Sequence, residues 1–169
     1  MKRNHNPARQ RRRPTVHSAR RGAALVEFAI IAPVFLMLTL GTVEGGRALD
    51  VATSMNSAVR EGGRLASMDW KSVVSGNMTA NQKVISDIRN FLVASGLPGN
   101  DMTISITHAE GASEGQTFVL SDPENRNKLF KIQVAVPYSD VSNLPATFMK
   151  DQSLVASIVL RAGRVTLID

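Results

Sequence analysis

Gly22–Val43 reads GAALVEFAIIAPVFLMLTLGTV, 22 residues with one ionisable side chain, Glu27. As a helix this run rises roughly 33 Å at ~1.5 Å per residue, and a bilayer's hydrocarbon core is about 30 Å thick. Arg20 and Arg21 stand just before it, and Glu44, Arg47 and Asp50 follow it. The run therefore reads as a transmembrane helix with sharp polar edges, and what precedes and follows it is placed on opposite sides of the membrane.

Charge is divided in the same way. Residues 1–21 hold eight Lys and Arg and no acid, whereas the remainder holds twelve basic and fourteen acidic residues, a net of −2. A basic block beside an apolar span follows the positive-inside rule, which makes Arg20 and Arg21 topology determinants and keeps the N-terminus in the cytoplasm. The block carries no Phe, Tyr or Trp on which bases would stack, so no nucleic-acid partner is assigned. Its high charge, with Pro7 and Pro14, predicts disorder for the leader, residues 1–22. A secretory signal has a shorter apolar region, about 7–15 residues, without a carboxylate in it. The chain has no cysteine, so disulfides and thiolate metal sites are excluded.

Glu27 is the informative residue of the span. A charged group deep in a membrane helix costs roughly 2.5–3.5 kcal/mol on insertion scales. Two readings remain open. Glu27 lies close enough to the interface to reach water, or it meets a cation inside the membrane. A cut after Gly22 would create such a cation, the new amino terminus of Ala23, at a helix start that already carries positive partial charge. Pro33 removes one backbone hydrogen bond at mid-span and favours a kink. Gly41 and Gly45 form a GxxxG pair that permits close helix approach.

Gly22-Ala-Ala-Leu-Val-Glu27 resembles the processing motif of type IV prepilins, a glycine after a basic leader and a glutamate at the fifth position beyond it. With Arg21 to Ala29, Pro33, Gly41-Thr-Val-Glu44-Gly45-Gly46-Arg47 and Ala58 to Ala66, the ordered series resembles the TadE-like family, pseudopilins of the bacterial tight-adherence (Tad) system. The likeness covers residues 20–68. Phe28 departs from the tyrosine that often follows the glutamate in processed Flp-type pilins. The resemblance implies a leader removed by a prepilin peptidase between Gly22 and Ala23. It also implies use of Glu27 in assembly, other Tad or pilin subunits as partners through the N-terminal helix, and a minor, pilus-associated role in the inner membrane or a surface pilus.

Beyond the span, Ala48, Leu49, Ala52, Met55, Val59, Gly62 or Gly63, and Ala66 recur at three- and four-residue steps. This predicts that the helix continues over 44–68 with one apolar stripe, although Gly62-Gly63 weakens its end. The extracytoplasmic head is then 69–169. Trp70 is a candidate for the membrane surface. Thr79 and Gln82 have capping-box spacing before a stripe of Val84, Ile85, Ile88, Phe91 and Leu92 that stops at Gly96 and Pro98. Period-two alternation predicts strands over 102–107, 117–120, 130–138, 154–161 and 165–168, with a turn at Asp122–Asn125. The predicted class is α+β: a long N-terminal helix, half membrane-spanning and half amphipathic, packed with one further helix on a small antiparallel sheet.

No catalytic or metal-binding constellation is legible. His5 and His17 lie in the tail and His108 is alone at a strand end. GxGxxG, P-loop and GxSxG motifs are missing. The expectation is a non-enzymatic structural component of a Tad-type assembly without a cofactor. The alternatives are a permanently anchored binding or adhesion domain that does not polymerise, and a membrane-tethered binder of nucleic acid or anionic lipid.

Overall fold

The computed structural model describes residues 16–68, 78–142 and 151–163, and of residues 16–21 the backbone alone. Trp70, the tail before Val16, the expected strand over 165–168 and the side chains of Arg20 and Arg21 lie outside the described residues. The chain divides between Thr42 and Val43 into two units.

Helix α1 (Val16–Ala66) contributes to both. In the first unit it is long and apolar enough to cross a membrane, by length and composition. Its residues are exposed all round from Gly22 to Thr42 apart from half-buried Ala32, including Phe28, Phe35 and Met37. An apolar helix without a polar side is suited to lipid rather than to a half-solvated surface. The two threonines satisfy themselves: Thr39 Oγ1 donates to the Phe35 carbonyl and Thr42 Oγ1 to that of Leu38, both at 2.8 Å. In hydrocarbon, where no water competes, such back-bonding removes the cost of an unpaired hydroxyl. Pro33 lies inside the helix. The helical backbone starts at Val16, six residues before the expected end of the disordered leader; residues 15–21 contain no Gly or Pro, and Arg and Ala are strong helix formers.

In the second unit α1 turns from exposed to amphipathic. Val51, Met55, Ala58, Val59 and Ala66 are buried, whereas Leu49 is 71% exposed. The expected stripe was therefore right in period but wrong in phase at its start. At about 100° per residue Leu49 lies far round the helix from Val51 and Met55, which face the core.

Helix α2 (Ala80–Ala94) begins with the predicted capping box: Thr79 Oγ1 accepts from Gln82 N, and Gln82 Oε1 accepts from Thr79 N at 2.9 Å. It ends with Gly96 at φ +76°. Leu97 N donates to Leu92 O and Gly96 N to Val93 O, each at 3.0 Å, which closes the last orphan carbonyls in a Schellman arrangement. Val84, Ile88 and Leu92 form its buried stripe, and Phe91 is mostly outside it.

Three antiparallel strands follow in the order β1 (Thr103–His108), β2 (Leu129–Pro137) and β3 (Ser153–Arg161). Ile106 pairs with Ile132 and Val134 with Ala156, so the apolar residues of all three strands share one face. That face and the two helices enclose the core, with Phe118, Phe130 and Tyr138 among its largest fully buried side chains. The chain is thus α+β, a long N-terminal helix with a second helix and a small antiparallel sheet.

Two expected strands are corrected. Thr117–Leu120 makes one bridge, Thr107 to Thr117, and does not join the sheet as a strand. The Asn81 side chain takes the place of a strand there, donating to Phe118 O at 2.6 Å and accepting from Leu120 N at 3.0 Å. Tyr138 continues the alternation of β2 but opens a short 3-10 turn, Tyr138–Asp140, after Pro137. The Asp122–Asn125 turn is a 3-10 turn, Pro123–Asn125, capped by Asp122 Oδ1 on Glu124 N at 2.9 Å.

The glycine pair that weakened the helix prediction is where α1 packs most closely. A Cβ at Gly62 would collide with Ile88 Cδ1 and Cγ1 of α2, and one at Gly63 with Leu160 Cδ1 of β3. Each glycine admits one neighbouring element. An alanine in a helix interior gains about 1 kcal/mol over glycine, and overpacking costs about 1–3 kcal/mol. Ile88 is fully enclosed, whereas half-buried Leu160 has room to turn its terminal methyl. Gly62→Ala should therefore destabilise the protein by about 1–2 kcal/mol and Gly63→Ala by less than about 0.5 kcal/mol. Denaturant unfolding of the full chain in detergent micelles measures the difference.

Candidate functional site

The residues singled out in the span are all on α1. Gly22, Ala23, Glu27 and Pro33 are exposed on its first unit. Around Glu27 the neighbours Leu25, Val26 and Phe28 are exposed as well, so a carboxylate stands in a wholly apolar stretch of surface. Gly41 and Gly45 both have open space where a Cβ would stand. The fold of one chain does not bring these residues to a common pocket.

A second polar cluster lies within the second unit, where α1 meets the turn after β2. Glu44 Oε1 accepts from the Tyr138 hydroxyl at 2.7 Å and from Ser142 Oγ. One helical turn on, Arg47 Nε donates to the Val141 carbonyl at 3.3 Å and Arg47 Nη1 pairs with Asp50 at 3.3 Å. One turn of helix thus holds the whole segment Tyr138–Ser142. The segment is shaped to receive it: Pro137 ends the strand, and Tyr138 N donates to Gln152 O at 2.9 Å, which fixes the ring against the core. Tyr138 is 1% exposed. Burial of the phenol, and then its hydrogen bond to the Glu44 carboxylate, push its pKa up.

Sequence reasoning placed Glu44 at a polar edge and in the series that resembles the TadE-like family, and Tyr138 only in an apolar row. One signal was available. A large side chain with a hydroxyl tip at the end of an apolar alternation needs a hydrogen-bond partner when buried. Nothing in the spacing named Glu44, 94 residues away.

His108, the remaining candidate of interest, packs its ring on Phe118 with centroids 4.7 Å apart. Among the described residues no three His, Asp or Glu side chains cluster as metal ligands would.

Tyr138 is the single tyrosine of the chain, so phenolate absorbance reports on it alone. Its titration midpoint should lie above the ordinary value of about 10. Glu44→Gln should lower that midpoint only in part, since burial is the larger cause. Folding favours the protonated phenol. Its contribution is complete below about pH 10 and is lost as pH rises through the raised folded-state value. Tyr138→Phe should remove that alkaline component of unfolding. Glu44→Ala should cost about 1–3 kcal/mol at neutral pH, because it strands a buried hydroxyl.

Neither curated proteins nor solved structures provide a match to the chain. Residues 22–64, which carry the apolar run, Glu27 and the Glu44 clamp, match the family model described as TadE-like protein.

Proposed function

We propose that this chain is a non-enzymatic structural component, a pseudopilin or minor pilin, of a Tad-type pilus assembly or secretion apparatus. The observation that carries the reading is the TadE-like match over 22–64, whose first part, residues 22–42, is a helix exposed and apolar on every side with one carboxylate in it. In this reading residues 23–43 span the inner membrane with the N-terminus cytoplasmic, the helix continues over 44–68, and 69–169 is the extracytoplasmic head. Arg20 and Arg21 set the orientation. A prepilin peptidase cuts between Gly22 and Ala23. Glu27 then pairs with the new amino terminus of a neighbouring pilin-type subunit, while Gly41 and Gly45 let helices approach and Pro33 bends the span.

The permanently anchored alternative draws on one observation, that α1 begins at Val16 and so runs through the expected cleavage point. Intact mass and N-terminal sequencing of the protein from its host's membranes separate the two. A chain beginning at Ala23 supports the processed pilin, and a retained leader supports the anchor. In the first case Glu27→Ala should leave insertion intact. Incorporation into the assembly should fall by roughly tenfold or more, the equivalent of about 1.4 kcal/mol for a membrane ion pair. Unchanged co-purification of Glu27→Ala with the other subunits would overturn the assigned role.

A further inference from the structure

We infer that Thr117–Leu120 is a latent fourth strand, held off β1 by the side chain of Asn81, so that the first turn of α2 decides whether the sheet has three strands or four.

The register of the missing strand is already set. Thr117 faces Thr107 in an antiparallel bridge, framed by Phe118 N to Ile106 O at 3.0 Å and His108 N to Gln116 O at 2.9 Å. In an antiparallel pair, opposed residues exchange both of their backbone bonds at every second position. The next bonds in this register are therefore Ile106 N to Phe118 O and Leu120 N to Ile104 O. Neither is present. Asn81 holds the same two groups of the segment instead. Its Nδ2 donates to Phe118 O at 2.6 Å, and its Oδ1 accepts from Leu120 N at 3.0 Å. A side-chain amide carries the donor and acceptor of a peptide group, and here it stands where a peptide group of β1 would act.

The β1 side of the gap is left open. Ala109 N donates to Leu129 O, so the odd-numbered positions bond toward β2, and Ile104 and Ile106 turn their backbone groups toward Thr117–Leu120. Ile106 is 3% exposed, yet its N–H has no acceptor among the described residues. A buried N–H without a partner is rare, because it has given up water and gained nothing. The far side of the segment is fastened separately. Val119 O accepts from Asp122 N at 3.3 Å and from Asn125 Nδ2 at 3.0 Å, and neither bond involves the edge that faces β1. Closing the gap exchanges the two bonds of Asn81 for two backbone bonds. It supplies the orphaned Ile106 N–H and returns the amide of half-buried Asn81 to water. Asn81 is the second residue of α2, so a shift of that first turn away from the sheet releases both groups at once.

Hydrogen exchange followed by NMR on the full chain in detergent micelles tests this. In the parent, the Leu120 amide should be protected. The Ile106 amide should exchange about tenfold or more faster than those of Ser105 and Thr107, which bond to β2. Asn81→Ala should slow Ile106 by a similar factor and keep Leu120 protected. It should also bring the α protons of Ser105 and Val119, a non-hydrogen-bonded pair in this register, into contact. Asn81→Asp is the milder variant, since a carboxylate suits the first turn of a helix and still accepts from Leu120 N. It frees the Phe118 carbonyl, so Ile106 should slow there too. An Ile106 amide as protected as that of Thr107 in the parent would overturn the inference, because the gap would already be closed. So would an Ile106 amide that neither variant slows, with Leu120 losing its protection in Asn81→Ala, the mark of an amide that only tethers a loop.

Discussion

A helix with apolar side chains on every flank has to satisfy all of its own polar groups, and this requirement governs the chain. Between Gly22 and Thr42 the backbone ladder does so apart from the one bond that Pro33 removes, helped by threonines that bond back to their own helix. Among the side chains Glu27 is the exception, and an exception of that kind is maintained by a partner or by reach to water. From Glu44 onward the same helix meets opposite conditions. Its polar groups are satisfied by a folded domain, and its apolar groups are gathered on one side. The change takes place within a turn of helix.

That change explains how the second unit is built. A single sheet of three strands has too small a face to make a core alone. It needs a helical cover, and α1 supplies part of it with Val51, Met55, Ala58 and Val59. Helix α2 supplies the rest, and the glycines at 62 and 63 bring α1 close to α2 on one flank and to β3 on the other. The second unit is therefore not built from the residues after α1 alone. Part of its core is the stretch of α1 that lies within it.

What was legible in the sequence follows from the range of the interactions involved. The capping box at Thr79 and Gln82, the α2 stripe and the alternation of β2 are local patterns, and they appear in the structure, save that Phe91 stands mostly outside the stripe and Tyr138 leaves the strand. The stripe on α1 was legible in period, but which side faces the core is decided by strands far along the chain, so Leu49 was misplaced and Val51 overlooked. Thr117–Leu120 has the composition of a strand, yet a side-chain amide from α2 satisfies its backbone, and composition carries no sign of that. The glycine pair reads locally as a helix breaker. Only the approach of Ile88 and Leu160 gives it a reason. The pairing of Glu44 with Tyr138 is a contact over 94 positions, beyond any window of local pattern. The apolar run and its lone carboxylate were plain from the first, because length and polarity are properties of the segment itself.

The clamp at Glu44 also has a mechanical meaning. A pull entering the second unit at Val43 along α1 reaches the Tyr138–Ser142 turn before any other contact of the helix. Beyond that turn Val51, Met55, Ala58 and Val59 of the same helix are buried in the core, so the pull passes from the clamp to a packed apolar stripe. Tension drawn through the helix is met by hydrogen bonds in the first turn and by apolar packing after it.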